Sequence, residues 1–254
     1  MSTGVLLYCF DTPEVAYHKF AEKCVRLIKK NLKLEITIVT NFETFKKFKP
    51  LGMINYKLIE NRQGNKSPYR GKHITWHNLD RALAYEHSPY DTTILMDVDY
   101  FCFTDNLLTY TDTKYNFLVH NKVHDLTGEN IIEGKNESTL PIIWATVTIF
   151  RKSVFAKHVF DLIQHIQKYY EYYRHLYRIK FRNYRNDYAF AIALHQLNGM
   201  NPYKNFIPTP MAMLAHEVDL LEMSETGIVF KYGKKVSAIN NQDVHVMDKE
   251  FVNG

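Results

Sequence analysis

The stretch TTILMDVDYFCF, residues 92–103, decides the reading of this chain. Five residues suited to a buried strand run into Asp97-Val98-Asp99, and apolar residues then resume. An unpaired carboxylate is costly to bury. Two of them at i and i+2 beside the core need compensation. It can come from a metal ion, from a basic partner, or from a place just past the end of the strand.

The segments around this stretch favour the last of these. VLLYCF (5–10) reads as a strand, and 13–32 as a helix with Pro13 in its first turn. LEITIVT (34–40) is a second strand. Strand, long helix and strand make a βαβ unit, which implies a parallel pair. INYKLIE (54–60) predicts a third strand, 61–72 a polar loop, 76–87 a helix, and TTILMD (92–97) a fourth strand. The first hundred residues therefore predict an α/β domain with a mainly parallel sheet. In such sheets ligands bind beyond the carboxyl ends of the strands, where Asp97 and Asp99 fall.

The second half predicts strands at 117–120 and 141–150, separated by a polar loop over 121–140 long enough to suggest function. Apolar residues on one face predict a helix over 151–173. Another is predicted over 186–197, with Asn186 or Asp187 able to cap it. Short strands and turns follow, ending in VHVMDKE (244–250).

The chain has 254 residues, enough for one large domain or two small ones, and no apolar run approaches the ~20 residues of a membrane span. Its first residues lack a basic region and a small-residue cleavage site, so the apolar run there is expected to be a strand rather than a signal peptide. Three scattered cysteines, Cys9, Cys24 and Cys102, exclude a disulfide framework and suggest buried thiols in a reducing cytoplasm. The sequon at Asn136 carries no weight without a secretory signal. A net charge of +5 suits a phosphate-bearing ligand or a nucleic acid without proving either.

A D-x-D just past a central strand suits one task well. A carboxylate grips Mn²⁺ or Mg²⁺, and the cation bridges two phosphates. With this motif in this context the sequence resembles a nucleotide-sugar-dependent glycosyltransferase of the GT-A fold. It is most similar to the retaining group of glycogenin and the bacterial lipopolysaccharide galactosyltransferases. The resemblance implies one GT-A (Rossmann-like) domain over 1–254, with a nucleotide-binding half (1–110) and an acceptor-binding half (111–254). It also implies a hexosyl- or pentosyltransferase whose donor is a nucleotide-diphosphate sugar, UDP-sugar being expected.

Residue by residue, it implies the following. Arg81, sixteen positions before Asp97, matches a basic residue that touches the donor. Segment 142–155 matches a strand lining the sugar pocket, with Ala145 and Thr146 in place of its small polar pair. Asp187 matches an acid that contacts the donor sugar, and His245 a third metal ligand beside Asp97 and Asp99. Lys249 matches a lysine on the diphosphate. The glycine and Lys-Pro-Trp that surround the last two in the family are absent. Asp11, Thr12 and Tyr17, with Thr40 and Asn41, would cradle the nucleoside; Asp99 and Asp187 are the expected catalytic pair.

Each residue also has a plainer role: a solvated turn for Asp97 and Asp99, a chance histidine for His245, a surface lysine for Lys249, a helix cap for Asp187, a solvated helix face for Arg81. A different function is also open. Residues 165–187 interleave tyrosines with Lys168, Arg174, Arg178, Lys180, Arg182 and Arg185, which could follow a phosphate backbone while rings stack on bases. A nucleic-acid-binding protein is therefore one alternative, and a metal-dependent nucleotidyl or phosphoryl enzyme another. A haloacid-dehalogenase-type phosphatase is disfavoured, because its D-x-D follows an early strand. By analogy with phage enzymes that decorate modified DNA bases, the acceptor could be DNA and the setting a bacterial or phage-infected cell.

Overall fold

Residues 1–60, 64–69, 72–77, 79–127, 131–133, 140, 143–214 and 218–249 are described by the computed structural model. The sequon at Asn136, and parts of the predicted loops 61–72 and 121–140, lie outside them.

β1 (Thr3–Tyr8) and β2 (Glu35–Thr40) flank α1 (Tyr17–Leu27), which runs on as a π-turn over Ile28–Leu32. The helix begins at Tyr17, not Pro13, because the preceding residues are held in a turn. Thr12 Oγ1 accepts from the Val15 N–H at 3.0 Å, and the Asp11 carboxylate accepts from the His18 N–H at 2.9 Å. An acid there satisfies a first-turn donor and meets the positive end of the helix. α2 (Phe42–Phe45), capped by Asn41, leads to β3 (Asn55–Leu58).

The expected loop over 61–72 carries part of an antiparallel hairpin, β4 (Asn65–Tyr69) and β5 (Lys72–Trp76). Its polar strands contain Pro68, tolerated where no further strand pairs. The predicted helix over 76–87 is shorter: a 3₁₀ turn over Leu79–Leu83 and then α3 (Ala84–His87). β6 (Thr92–Met96) and β7 (Tyr100–Phe101) bracket the D-x-D. β8 (Phe117–His120) precedes a second hairpin, β9 (Lys122–Asp125) and β10 (Ile131–Glu133), inside the other expected loop. β11 (Trp144–Arg151), α4 (Val154–Lys168), α5 (Tyr170–Leu176) and α6 (Asn186–Leu197) follow. The chain then forms β12 (Met211–Leu214), β13 (Asp219–Met223), β14 (Gly227–Tyr232), β15 (Lys235–Asn240) and β16 (Val244–Val246).

The central sheet has the order β3-β2-β1-β6-β11-β8. β3, β2, β1 and β6 are parallel, and only β11 runs against the rest. Successive residues of β1 enter opposite faces: Val5 and Leu7 one core, Leu6 the other. Covering both faces explains why these strands read as continuous apolar runs. Gly4 is required where the Tyr90 ring lies flat on β1, since a Cβ there would come within 2.4 Å of the ring. One face of the sheet is covered by α1 and the second sheet, the other by α4, α5 and α6.

The second sheet has the order β10-β9-β12-β16-β7. β16 enters it between β12 and β7. β13, β14 and β15 form a separate antiparallel meander. All three cysteines are buried and unpaired with one another. Among the described residues no helix is long and apolar enough to cross a membrane.

Candidate active site at the D-x-D

β6 ends at Met96, and the chain turns at once: the Asp97 N–H donates to the Thr146 carbonyl at 3.0 Å, and the Tyr100 N–H to the Asp97 carbonyl at 3.1 Å. This turn sends the two carboxylates into different surroundings. The Asp97 side chain is 38% exposed, whereas Asp99 is buried.

Asp97 pairs with Arg81, whose guanidinium is buried and also donates to the carbonyls of Ala145 and Thr146. Burial pushes the Arg81 pKa down to about 10, with Asp187, Tyr8 and Asp99 acting the other way, so it stays cationic at neutral pH. Asp187 stands on the far side of the same strand end. It does not cap α6; the cap position is Arg185, which makes no side-chain cap bond. Its Oδ1 accepts from the Ala145 N–H at 2.9 Å, and its Oδ2 is 2.8 Å from Arg185. Ala145 is thus gripped at both ends, by Arg81 on its carbonyl and Asp187 on its N–H.

Asp99 is reached from the C-terminal segment. β16 pairs antiparallel with β7, setting His245 opposite Tyr100. The Val246 N–H donates to the Asp99 carbonyl at 2.9 Å, and Asp243 anchors the strand's start by accepting from Thr104 at 2.8 Å. The Asp248 carboxylate accepts from the Leu220 N–H at 3.1 Å and holds the other end. Lys249, fully buried, then folds back to pair with Asp99 Oδ2. Its ammonium lies 5.5–5.9 Å from the ring centroids of Phe20, Trp76 and Tyr17. Burial alone would raise the Asp99 pKa, but Lys249 first, then His245, hold it well below the usual carboxylate range.

The residues present suit a divalent cation. Asp97, Asp99 and His245 each offer one ligand atom, all within 4.8 Å of one another. His245 Nε2 is 3.3 Å from Asp99 Oδ1, a contact without hydrogen-bond geometry. Asp99 Oδ1 and His245 Nδ1 are buried with no hydrogen-bond partner among the described residues. Two oxygen donors and an imidazole match Mn²⁺ or Mg²⁺ chemistry.

The structure thus brings together Arg81, Asp97, Ala145 and Asp187 as one group, and Asp99, His245, Lys249 and Tyr17 as another. Asp11 stands apart, its carboxylate 2.7 Å from His18 Nδ1 and 3.0 Å from Lys47. Thr12 is used in the turn before α1. Thr40 and Asn41 lie at the end of β2, where Asn41 lines a cleft of about 440 Å³ with Phe42, Leu58, Ile59 and two glutamates. Sequence reasoning missed Phe20 and Trp76, the aromatic walls around Lys249; nothing local marks them, since each is an ordinary apolar residue of another element. In the basic segment, Tyr170, Tyr173, Tyr177 and Tyr184 are core residues, and Arg174 and Arg185 pair with Glu171 and Asp187.

With this geometry in view, one solved structure decides the fold. An active-site mutant of LgtC superposes with a TM-score of 0.51 at 12% identity, covering 75% of this chain and 69% of that one. The chain has the GT-A fold. The WbbM bifunctional glycosyltransferase gives 0.43 at 11% identity over 66% of this chain, which spans 34% of WbbM, about a third of its length. Mouse xyloside xylosyltransferase 1 gives 0.46 at 12% identity, covering 79% and 82%. No family model matches the chain, and no curated protein matches it in sequence. Within the GT-A fold the D-x-D lies at the carboxyl edge of the sheet, between the two core faces.

Proposed function

We propose that this chain is a metal-dependent glycosyltransferase that moves a sugar from a nucleotide-diphosphate sugar to an acceptor. The observation that carries this reading is the convergence of Asp97, Asp99 and His245 within 4.8 Å at the carboxyl end of β6. The ion they would hold, Mn²⁺ or Mg²⁺, offsets the diphosphate charge and stabilises it as a leaving group. Arg81 keeps Asp97 oriented and, with Lys249, supplies positive charge toward the diphosphate. Asp187 fixes the start of β11 and orients the donor sugar.

The finer terms follow from the resemblance and from chemistry. The donor is a UDP-sugar. The acceptor attacks from the leaving-group face, so configuration is retained and no protein nucleophile is needed. The acceptor is a modified nucleic-acid base, in keeping with a net charge of +5. A reducing cytoplasm suits the three buried thiols.

The test uses wild type and Asp99→Asn with a panel of nucleotide sugars, with Mn²⁺ and with chelator. Released nucleoside diphosphate and the melting temperature are both read. One donor should be hydrolysed slowly, or raise the melting temperature, in wild type with Mn²⁺ only. If no nucleotide or nucleotide sugar does either, the reading fails.

A further inference from the structure

Outside the D-x-D, the outer face of α1 carries an unassigned feature. Lys19, Lys23 and Arg26 recur at i, i+4 and i+7, and Lys30 and Lys33 continue the row to the end of the π-turn. Phe20, Cys24, Leu27 and Ile28 occupy the opposite, core-facing side. From the segment after α2, Lys47 and Lys49 face the first three cations across a groove of about 250 Å³, which His18 and Glu22 complete.

Three carboxylates meet these cations: Glu225 pairs with Lys30 at 2.9 Å at the far end of the row, and Glu22 and Asp11 serve the fold beside the groove. Glu22 is buried and accepts the Lys49 backbone N–H at 2.9 Å. Asp11 accepts from the His18 N–H and pairs with Lys47. Burial, and then repulsion from Lys19 and Arg26, lowers the Lys23 pKa, as expected of cations crowded together.

The shape narrows the partner. A rise of ~1.5 Å per residue puts neighbouring cations of the row about 5–6 Å apart and makes the row about 20 Å long. That spacing is of the same order as the spacing of phosphates along a nucleic-acid strand. Lys19, Lys47 and Lys49 are exposed and Lys23 is half-buried, so a narrow polyanion suits the groove better than a flat bilayer does. A strand can enter. We propose that the α1 groove binds the phosphodiester backbone of a nucleic-acid strand without base specificity. This inference does not rest on the transferase reading, and either can fail alone.

The test is fluorescence anisotropy with a labelled single-stranded DNA of about 20 nucleotides, between about 50 and 200 mM salt. Three variants are compared with wild type: Lys19→Glu/Lys23→Glu/Arg26→Glu, Lys47→Glu/Lys49→Glu on the facing wall, and Arg178→Glu/Lys180→Glu/Arg182→Glu in the other basic segment. Their melting temperatures identify any that fail to fold, and either groove variant alone suffices. Wild type should bind with a linear log–log salt dependence. Losing three cations should lower the slope by about two and weaken binding at least tenfold at low salt, while the third variant binds as wild type. The proposal is overturned if wild type does not bind DNA. It also fails if the third variant loses as much as the groove variants, or if folded groove variants bind as wild type. Binding to vesicles of phosphatidylserine and phosphatidylcholine without binding to DNA would assign the surface to membranes and overturn it as well.

Discussion

Asp97 and Asp99 are two residues apart, yet they occupy different electrostatic worlds. Asp97 is partly wet and shares a guanidinium with two backbone carbonyls. Asp99 is dry and sits against a fully buried lysine and a histidine. The difference teaches that the acids of one motif are held by opposite economies. Solvent relieves the first, so its partner is largely a matter of orientation. Only neighbouring charge relieves the second, so removing it strands two basic groups in the core.

The sharpest way to break this contrast is Asp99→Ala. It should cost about 3–5 kcal/mol by leaving Lys249 buried without its anion. In a chain of this size that lowers the melting temperature by about 10 °C. Adding Lys249→Met should restore part of the loss, and urea melts of the single and double variants check it. If Asp99→Ala melts like wild type, the pair is not what holds the C-terminal segment down.

His120 extends the contrast to a buried base with no acid. Burial pushes its pKa down to about 4, and the Thr209 backbone acts the other way. The sign follows directly. Above the ordinary value of 6.5 the ring is neutral folded or unfolded, and there is no penalty. Between about 6.5 and about 4 only the unfolded chain takes up the proton, so stability falls with pH across that window. Wild type should lose about 3 kcal/mol more than His120→Leu over this range, measured by denaturant titration at each pH. Parallel pH curves would show that His120 is reached by water.

Arg81→Lys should cost about 2 kcal/mol, since the single nitrogen of lysine cannot stand where one guanidinium nitrogen meets Asp97 and the other the two carbonyls. Asp97→Asn should cost less than about 1 kcal/mol, because the carboxylate is partly solvated. Its effect should appear instead in binding: under the proposed function Mn²⁺ with UDP raises the melting temperature of wild type, and this rise should be absent in the variant. An Asp97→Asn variant as destabilised as Asp99→Ala would erase the distinction between the two sides.

Much of this arrangement was legible in the sequence. The strands at 5–10, 34–40, 92–97, 117–120 and 141–150 announce themselves as largely apolar runs, the strand at 54–60 is more polar, and all six enter the central sheet. The helix after 13 was legible except for its start, because the Asp11 and Thr12 side chains delay it by bonding locally. The hairpins β4–β5 and β9–β10 were hidden. Their strands are short and mix polar with apolar residues, so that pairing across the hairpin defines them. Asp187 was read as an acid on the donor sugar with a helix cap as its plainer role; the cap does not form, because its carboxylate accepts from the Ala145 N–H of β11 instead. In the Tyr/Arg segment Tyr170, Tyr173, Tyr177 and Tyr184 turn inward while Tyr169 and Tyr172 stay exposed, a split its composition does not mark, and the plainer lysines of α1 line a groove.

The sequence by itself determined the α/β alternation, the apolar strands and the types of group available at the D-x-D. Those follow from local periodicity and residue chemistry. Only the tertiary structure decided which acid meets which base. Lys249 lies 150 residues from Asp99 along the chain, and they meet because β16 inserts between β12 and β7 in one register. A shift of that register by one residue would turn His245 to the other face of its strand, away from Asp99.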